Sequence, residues 1–168
     1  MRVVSTALAM LLTATQAMAV PTACTRPADR TAFDTVGLKS ELMVTALACK
    51  QQGKYNAFIQ TYKPAVLAEE KDLNAYFKRV YGRQYQKAYD DYISNLANVQ
   101  SDSSLKSGTA FCSEFENMFD EVMSLHDASE LPQYANSQAI AQPIAFATCT
   151  DSPVKATRSR HRSSHKKA

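Results

Sequence analysis

The sequence predicts an all-α fold, a disulfide-braced antiparallel bundle of about four helices followed by a disordered basic C-terminal tail. Three observations carry this expectation. Apolar residues recur at helical spacing in several separate stretches, and no stretch alternates as a half-buried strand would. Only four glycines and no tryptophan accompany a 45% hydrophobic content, which suits packed helices better than turn-rich sheets. The cysteines number four, an even count that reads as two disulfides in an exported chain.

Export is read from the first residues. Arg2 is followed by the uncharged run Val3 to Leu12 and then by Ala17-Met18-Ala19, the order of a signal peptide over residues 1–19 with cleavage after Ala19. A spanning helix needs about 20 strongly apolar residues. Thr13, Thr15 and Gln16 dilute this run, so the mature chain is expected not to be transmembrane. Lipid attachment at Cys24 would want an aliphatic residue three positions earlier, where Pro21 stands. The expected location is therefore periplasmic or secreted, with a helical domain over 20–150 and a tail over 151–168.

Along the domain, Val20 to Ala32 holds two prolines and no apolar period, and is expected to be an extended lead-in. The first helix is expected to be capped by Asp34 or Thr35. It places Leu38, Leu42, Thr45 and Cys49 on one face, with Met43 and Leu47 beside them and Gly53 as its stop. A short turn through Phe58 and Tyr62 precedes Pro64, which suits the first turn of a second helix because its missing N–H costs nothing there. That helix carries Leu73, Tyr76, Phe77, Val80 and Tyr81 and breaks at Gly82. The third has the cleanest stripe, Tyr85, Tyr89 (with Ala88), Tyr92, Leu96 and Val99, before a polar loop over 100–108. The fourth begins near Ser107 or Thr109 and buries Phe111, Phe115, Met118, Phe119 and Val122, with Glu114 and Glu116 favourable to its dipole. Residues 130–149 are expected to hold one short helix packed across the bundle.

In an up-down-up-down bundle the first helix ends where the fourth begins. Cys49 is then expected to meet Cys112, which leaves Cys24 for Cys149. Structural zinc is the alternative, but the four are scattered instead of standing in close pairs.

No residue pattern announces catalysis, and no cofactor or metal is expected. Tyr81, Tyr85, Tyr89 and Tyr92 form a row that is either a possible ligand face, stacking on a sugar or an aromatic molecule, or a core layer with its hydroxyls at the bundle edge. The neighbouring acids Glu69-Glu70 and Asp90-Asp91 point about 100° apart on a helix, so neither pair can share a substrate. His126 beside Asp127 lacks an identifiable nucleophile to serve.

Charge is uneven. Residues 20–150 carry 12 Lys/Arg against 15 Asp/Glu, while 151–168 carry six bases (Lys155, Arg158, Arg160, Arg162, Lys166, Lys167) and one Asp. The tail is a possible anion-binding segment for acidic lipids, polymers or nucleic acid, or else a solubilising appendage. It lacks interleaved aromatics, so specific nucleic-acid recognition is not indicated.

Three stretches, Leu38 to Leu47, Tyr92 to Asn98 and Ser107 to Cys112, resemble a family of small exported bacterial proteins of unassigned function. The resemblance implies a Gram-negative periplasm and brings no activity. The reading that emerges is an exported, non-catalytic protein acting on a protein or envelope partner. The alternatives are a small-ligand or enzyme role on the Tyr81–Tyr92 face and anionic-surface binding through the tail.

Overall fold

The computed structural model describes residues 25–108 and 110–146, and its order of elements follows the apolar periodicity. Six α-helices occur there: α1 Pro27–Ala48, α2 Gln52–Tyr81, α3 Tyr85–Ser107, α4 Ala110–Phe115, α5 Asn117–Met123 and α6 Leu131–Ser137. No strand occurs among the described residues. The expected leader, the Cys24–Cys149 pairing and the basic tail lie outside them.

Helix α1 starts at Pro27, a full two turns before the expected cap. Proline at the first helical position is preset for the helix, and the Arg26 backbone N–H donates to Asp29 Oδ2 at 3.2 Å. Asp34 and Thr35 therefore sit mid-helix and buried, Asp34 held by Arg30 at 2.7 Å. At the other end α1 stops at Ala48, because Lys50 takes a left-handed φ of 60° and turns the chain. Gly53 is not the stop. It lies inside the first turn of α2.

Pro64 is the second correction. It lies inside the continuous 30-residue helix α2 instead of opening a new one. A mid-helix proline leaves the Gln60 carbonyl without its usual donor and costs about 3 kcal/mol. Phe58, Tyr62 and Val66, all buried on the opposite face of the helix, offset that cost. Pro64 itself is exposed, so the freed carbonyl can turn to water. Gly82, at φ 53°, ends α2 as expected and feeds a 3-10 turn into α3. The expected loop over 100–108 is instead the last two turns of α3, closed by Gly108 at φ 55°. The fourth predicted helix is broken at Glu116 into α4 and α5.

Contacts fix the directions. Asp29 pairs with Arg79 at 2.6 Å and Lys39 with Glu70 at 2.5 Å, so α1 and α2 run antiparallel. Phe33 meets Tyr92 edge-on and Gly37 meets Gln100, so α3 runs alongside α1 in the same direction. Two apolar clusters result. One joins Leu38, Leu42 and Ala46 of α1 to Phe58, Tyr62 and Val66 of α2, Phe119 and Val122 of α5, and Leu131 and Ala135 of α6. The other joins Ala32, Phe33 and Val36 to Leu73, Tyr76 and Phe77 of α2 and Tyr92 and Leu96 of α3. Met43 and Leu47, expected beside the buried face of α1, are exposed.

Candidate functional site

The tyrosine row is built into the second apolar cluster. Tyr92 is buried among Phe33 and Phe77, and its hydroxyl donates to Gln142 Oε1 at 2.9 Å. Burial, with the Asp34 charge adding to it, drives its hydroxyl well above the usual range, so it stays protonated. Tyr81 stacks on Phe77 at 5.5 Å, Tyr89 meets the same ring edge-on, and Tyr85 lies half-buried beneath Lys78. The row thus serves the core with its rings. Two surface depressions stand apart from it. One of about 180 Å³ is lined by Thr25, Pro27, Arg30 and Phe146, and one of about 370 Å³ by Leu125, Glu130, Gln133, Tyr134 and Ser137.

Cys49 and Cys112 are joined, with their Cα atoms 5.6 Å apart. The link ties the end of α1 to the start of α4, as the bundle order requires. Glu116 lies beside it, and its carboxylate and the two sulfurs fall within 4.8 Å of one another. That spacing resembles a metal set, but the sulfurs are bonded to each other, and Gln51 Nε2 reaches Glu116 Oε1 at 3.5 Å.

The acidic pairs are divided by their contacts. Glu70 takes Lys39, Asp90 takes Gln86 and Asp91 takes Lys87. His126 is exposed, and Asp127 spends its carboxylate on the Ser129 backbone N–H at 2.7 Å.

The densest polar chemistry lies where sequence reasoning did not look. Between the two apolar clusters runs a buried layer made by Glu41 of α1, Gln100 of α3 and the strap over 138–146 that follows α6. Gln100 Nε2 donates to the carbonyls of Gly37 at 3.1 Å and Ala141 at 3.3 Å. Gln142 Nε2 donates to the Phe33 carbonyl at 3.1 Å. Glu41 is 3% exposed and its carboxyl rests against the Ala141 backbone N–H and the Gln100 amide. Burial pushes that carboxyl up to about 7, and the two amide contacts draw it back only in part. Glu41 Oε2 and Gln100 Oε1 are both buried without a hydrogen-bond partner. The strap can lie this close only because residue 37 is glycine. A Cβ there would stand 2.5 Å from Gln142 Nε2 and 2.8 Å from Ile140 Cγ2.

No family model, curated protein or solved structure matches this chain.

The surface is the other place where charge is organised. Residues 107–146 carry Glu114, Glu116, Asp120, Glu121, Asp127 and Glu130 and no lysine or arginine. All but Glu116 are exposed. Lys54 of α2 reaches Asp120 at 2.9 Å. The α4–α5–α6 quarter is thus an acidic face, while residues 25–106 carry 12 bases against nine acids. The segregation was legible in the sequence once cut at Lys106, but a count over the whole domain averages it away. The bases of the expected tail, Lys155 to Lys167, lie outside the described residues. No helix among the described residues is long and apolar enough to cross a membrane.

Proposed function

We propose that this is an exported, non-catalytic protein, periplasmic or secreted, that works through contacts with a protein or envelope partner. The observation that carries the reading is the division of surface charge, with six carboxylates and no base over residues 107–146, followed in the chain by the basic run from Lys155 to Lys167. A face of one sign steers and orients a partner of the opposite sign. The Cys49–Cys112 link and the leader pattern of residues 1–19 support an oxidising compartment outside the cytoplasm. The resemblance to small exported bacterial proteins agrees with this, and adds no activity.

Crosslinked pull-downs from the native envelope test the proposal with three forms: the intact protein, a form ending at Pro153, and one carrying Glu114→Lys with Asp120→Lys. The expected result is one protein recovered by the first two forms and lost with the third. Recovery of nothing by any form, or equal recovery by all three, would overturn the acidic face as the contact surface.

The basic tail supports a second reading, attachment to an anionic polymer or membrane surface, because residues 151–168 hold six bases against one acid. Binding to vesicles of acidic lipid is then expected to fall steeply between 50 and about 300 mM salt and to vanish in the form ending at Pro153. Binding that survives the truncation would sink this reading.

A further inference from the structure

We propose that Glu41 is a proton-controlled latch for the C-terminal strap: protonated, it holds residues 138–146 down on α1 and α3, and ionised, it lets them lift. Donors and acceptors in the buried layer do not balance. Gln100 has two amide hydrogens, and the carbonyls of Gly37 and Ala141 use both. Turning the amide over would set its oxygen against those same two carbonyls, so a flip repairs nothing. Two buried oxygens remain without a donor, Gln100 Oε1 and Glu41 Oε2. Of the two side chains only the carboxyl can take up a proton, and Glu41 is 3% exposed. As a neutral acid Glu41 brings no charge into the layer and still accepts from the Ala141 N–H. As a carboxylate it is a buried charge whose Oε2 has no donor, eased only in part by the Ala141 N–H and the Gln100 amide.

No ionisable group among the described residues offsets that charge. From α3 the group facing Glu41 is the Gln100 amide, and from the strap it is the Ala141 backbone. The strap itself has no titratable side chain over 138–146. On α3 the charged residues nearest in sequence, Asp102 and Lys106, are exposed, and on α6 the Tyr134 hydroxyl is engaged by Glu121. On α1 itself Lys39 is paired with Glu70 of α2. Burial without a counter-charge keeps the carboxyl protonated up to about neutral pH.

The strap is the element that can yield. It has no regular secondary structure, and α1 and α3 hold it by side-chain hydrogen bonds: Gln100 to Ala141, Gln142 to Phe33, and Tyr92 to Gln142. Ile140 and Phe146 anchor its two ends in different apolar clusters, so the stretch between them is the weak part. Lifting it hydrates Glu41 while the α1–α2 packing is kept.

Amide hydrogen exchange on the intact, oxidised protein tests the latch, with rates corrected for the intrinsic pH dependence of exchange. Between pH 5 and pH 8.5, peptides covering 138–146 are expected to lose protection by roughly fifty- to a hundredfold, while peptides covering 58–77 of α2 hold theirs. In Glu41→Gln, which supplies a permanent N–H at the same place, the strap is expected to stay protected throughout. Should that variant fail to fold, a carbon-13 titration of the Glu41 carboxyl in the wild-type protein decides the matter, with a midpoint near neutrality expected. The proposal is overturned by a strap whose protection does not change with pH, by α2 losing protection in step with it, or by a carboxyl midpoint near 4.5.

Discussion

At Gly37 a methyl group would have to displace Gln142 and Ile140, whereas at Gly53 it would meet nothing within 4 Å. Both residues are helical, so alanine gains intrinsic preference at each, up to about 1 kcal/mol at Gly37 in the interior of α1 and less at Gly53 in the first turn of α2. Packing decides the difference. Gly37→Ala is expected to lose about 1–2 kcal/mol net, because overpacking outweighs the gain, and Gly53→Ala to gain about 0.5 kcal/mol. Urea unfolding of both variants checks the pair, and equal effects at the two sites would show that the strap yields to a methyl group freely. Glu41 sets a pH dependence at the same scale. Its carboxyl rises from 4.5 to about 7 on folding, so the folded state holds a proton that the unfolded state releases. Stability from this group is complete below pH 4.5, falls through the window from 4.5 to 7 and is level above it, a change of about 3 kcal/mol. Glu41→Gln is expected to flatten that part of the unfolding profile measured from pH 4 to 8.5.

At the scale of elements, Pro64 is the informative residue. It sits exposed in the interior of α2, where it removes one backbone donor and crowds the preceding turn. Pro64→Ala is therefore expected to stabilise the protein by about 1–3 kcal/mol, the helix gain being reduced by the extra freedom of the unfolded chain. Denaturant unfolding at fixed pH measures it. The same residue explains what the sequence could and could not reveal. The stripes of α2 and α3 were readable because Leu73, Tyr76, Phe77, Tyr92 and Leu96 obey the helical period and are buried accordingly. Local stop signals were misleading because packing outvoted them. Pro64 interrupts no burial, since Phe58, Tyr62 and Val66 continue one face past it, and Gly53 falls inside α2 because the chain has already turned at Lys50. The start of α1 was missed because Pro27 was read as a breaker when it is the preset first residue of a helix. The polar layer was illegible for a different reason. Glu41 and Gln100 look like surface residues one by one, and only the crossing of α1, α3 and the strap makes them neighbours.

At the scale of the whole molecule, the Cys49–Cys112 link holds together parts that are far apart in sequence. Cys49 and Cys112 are 63 residues apart, and the loop they close contains all of α2 and α3. In the chain-entropy description, closing a loop of that length removes about 4 kcal/mol of freedom from the unfolded state. The quarter of the molecule that depends most on it is the acidic one. Helices α4 and α5 have only six and seven residues, too short to persist alone, and rest on Phe111, Phe119 and Val122. Replacing both cysteines by alanine is therefore expected to lower the unfolding free energy by about 2–4 kcal/mol and to loosen α4 and α5 before the rest. Hydrogen exchange of the two-alanine protein, compared peptide by peptide with the oxidised form, reads both effects. Selective loss over 110–123 with α2 still protected would mean that the disulfide presents the acidic face instead of merely adding stability. Uniform loss along all helices would mean that the face is held by its apolar anchors, and that the link acts on the unfolded chain alone.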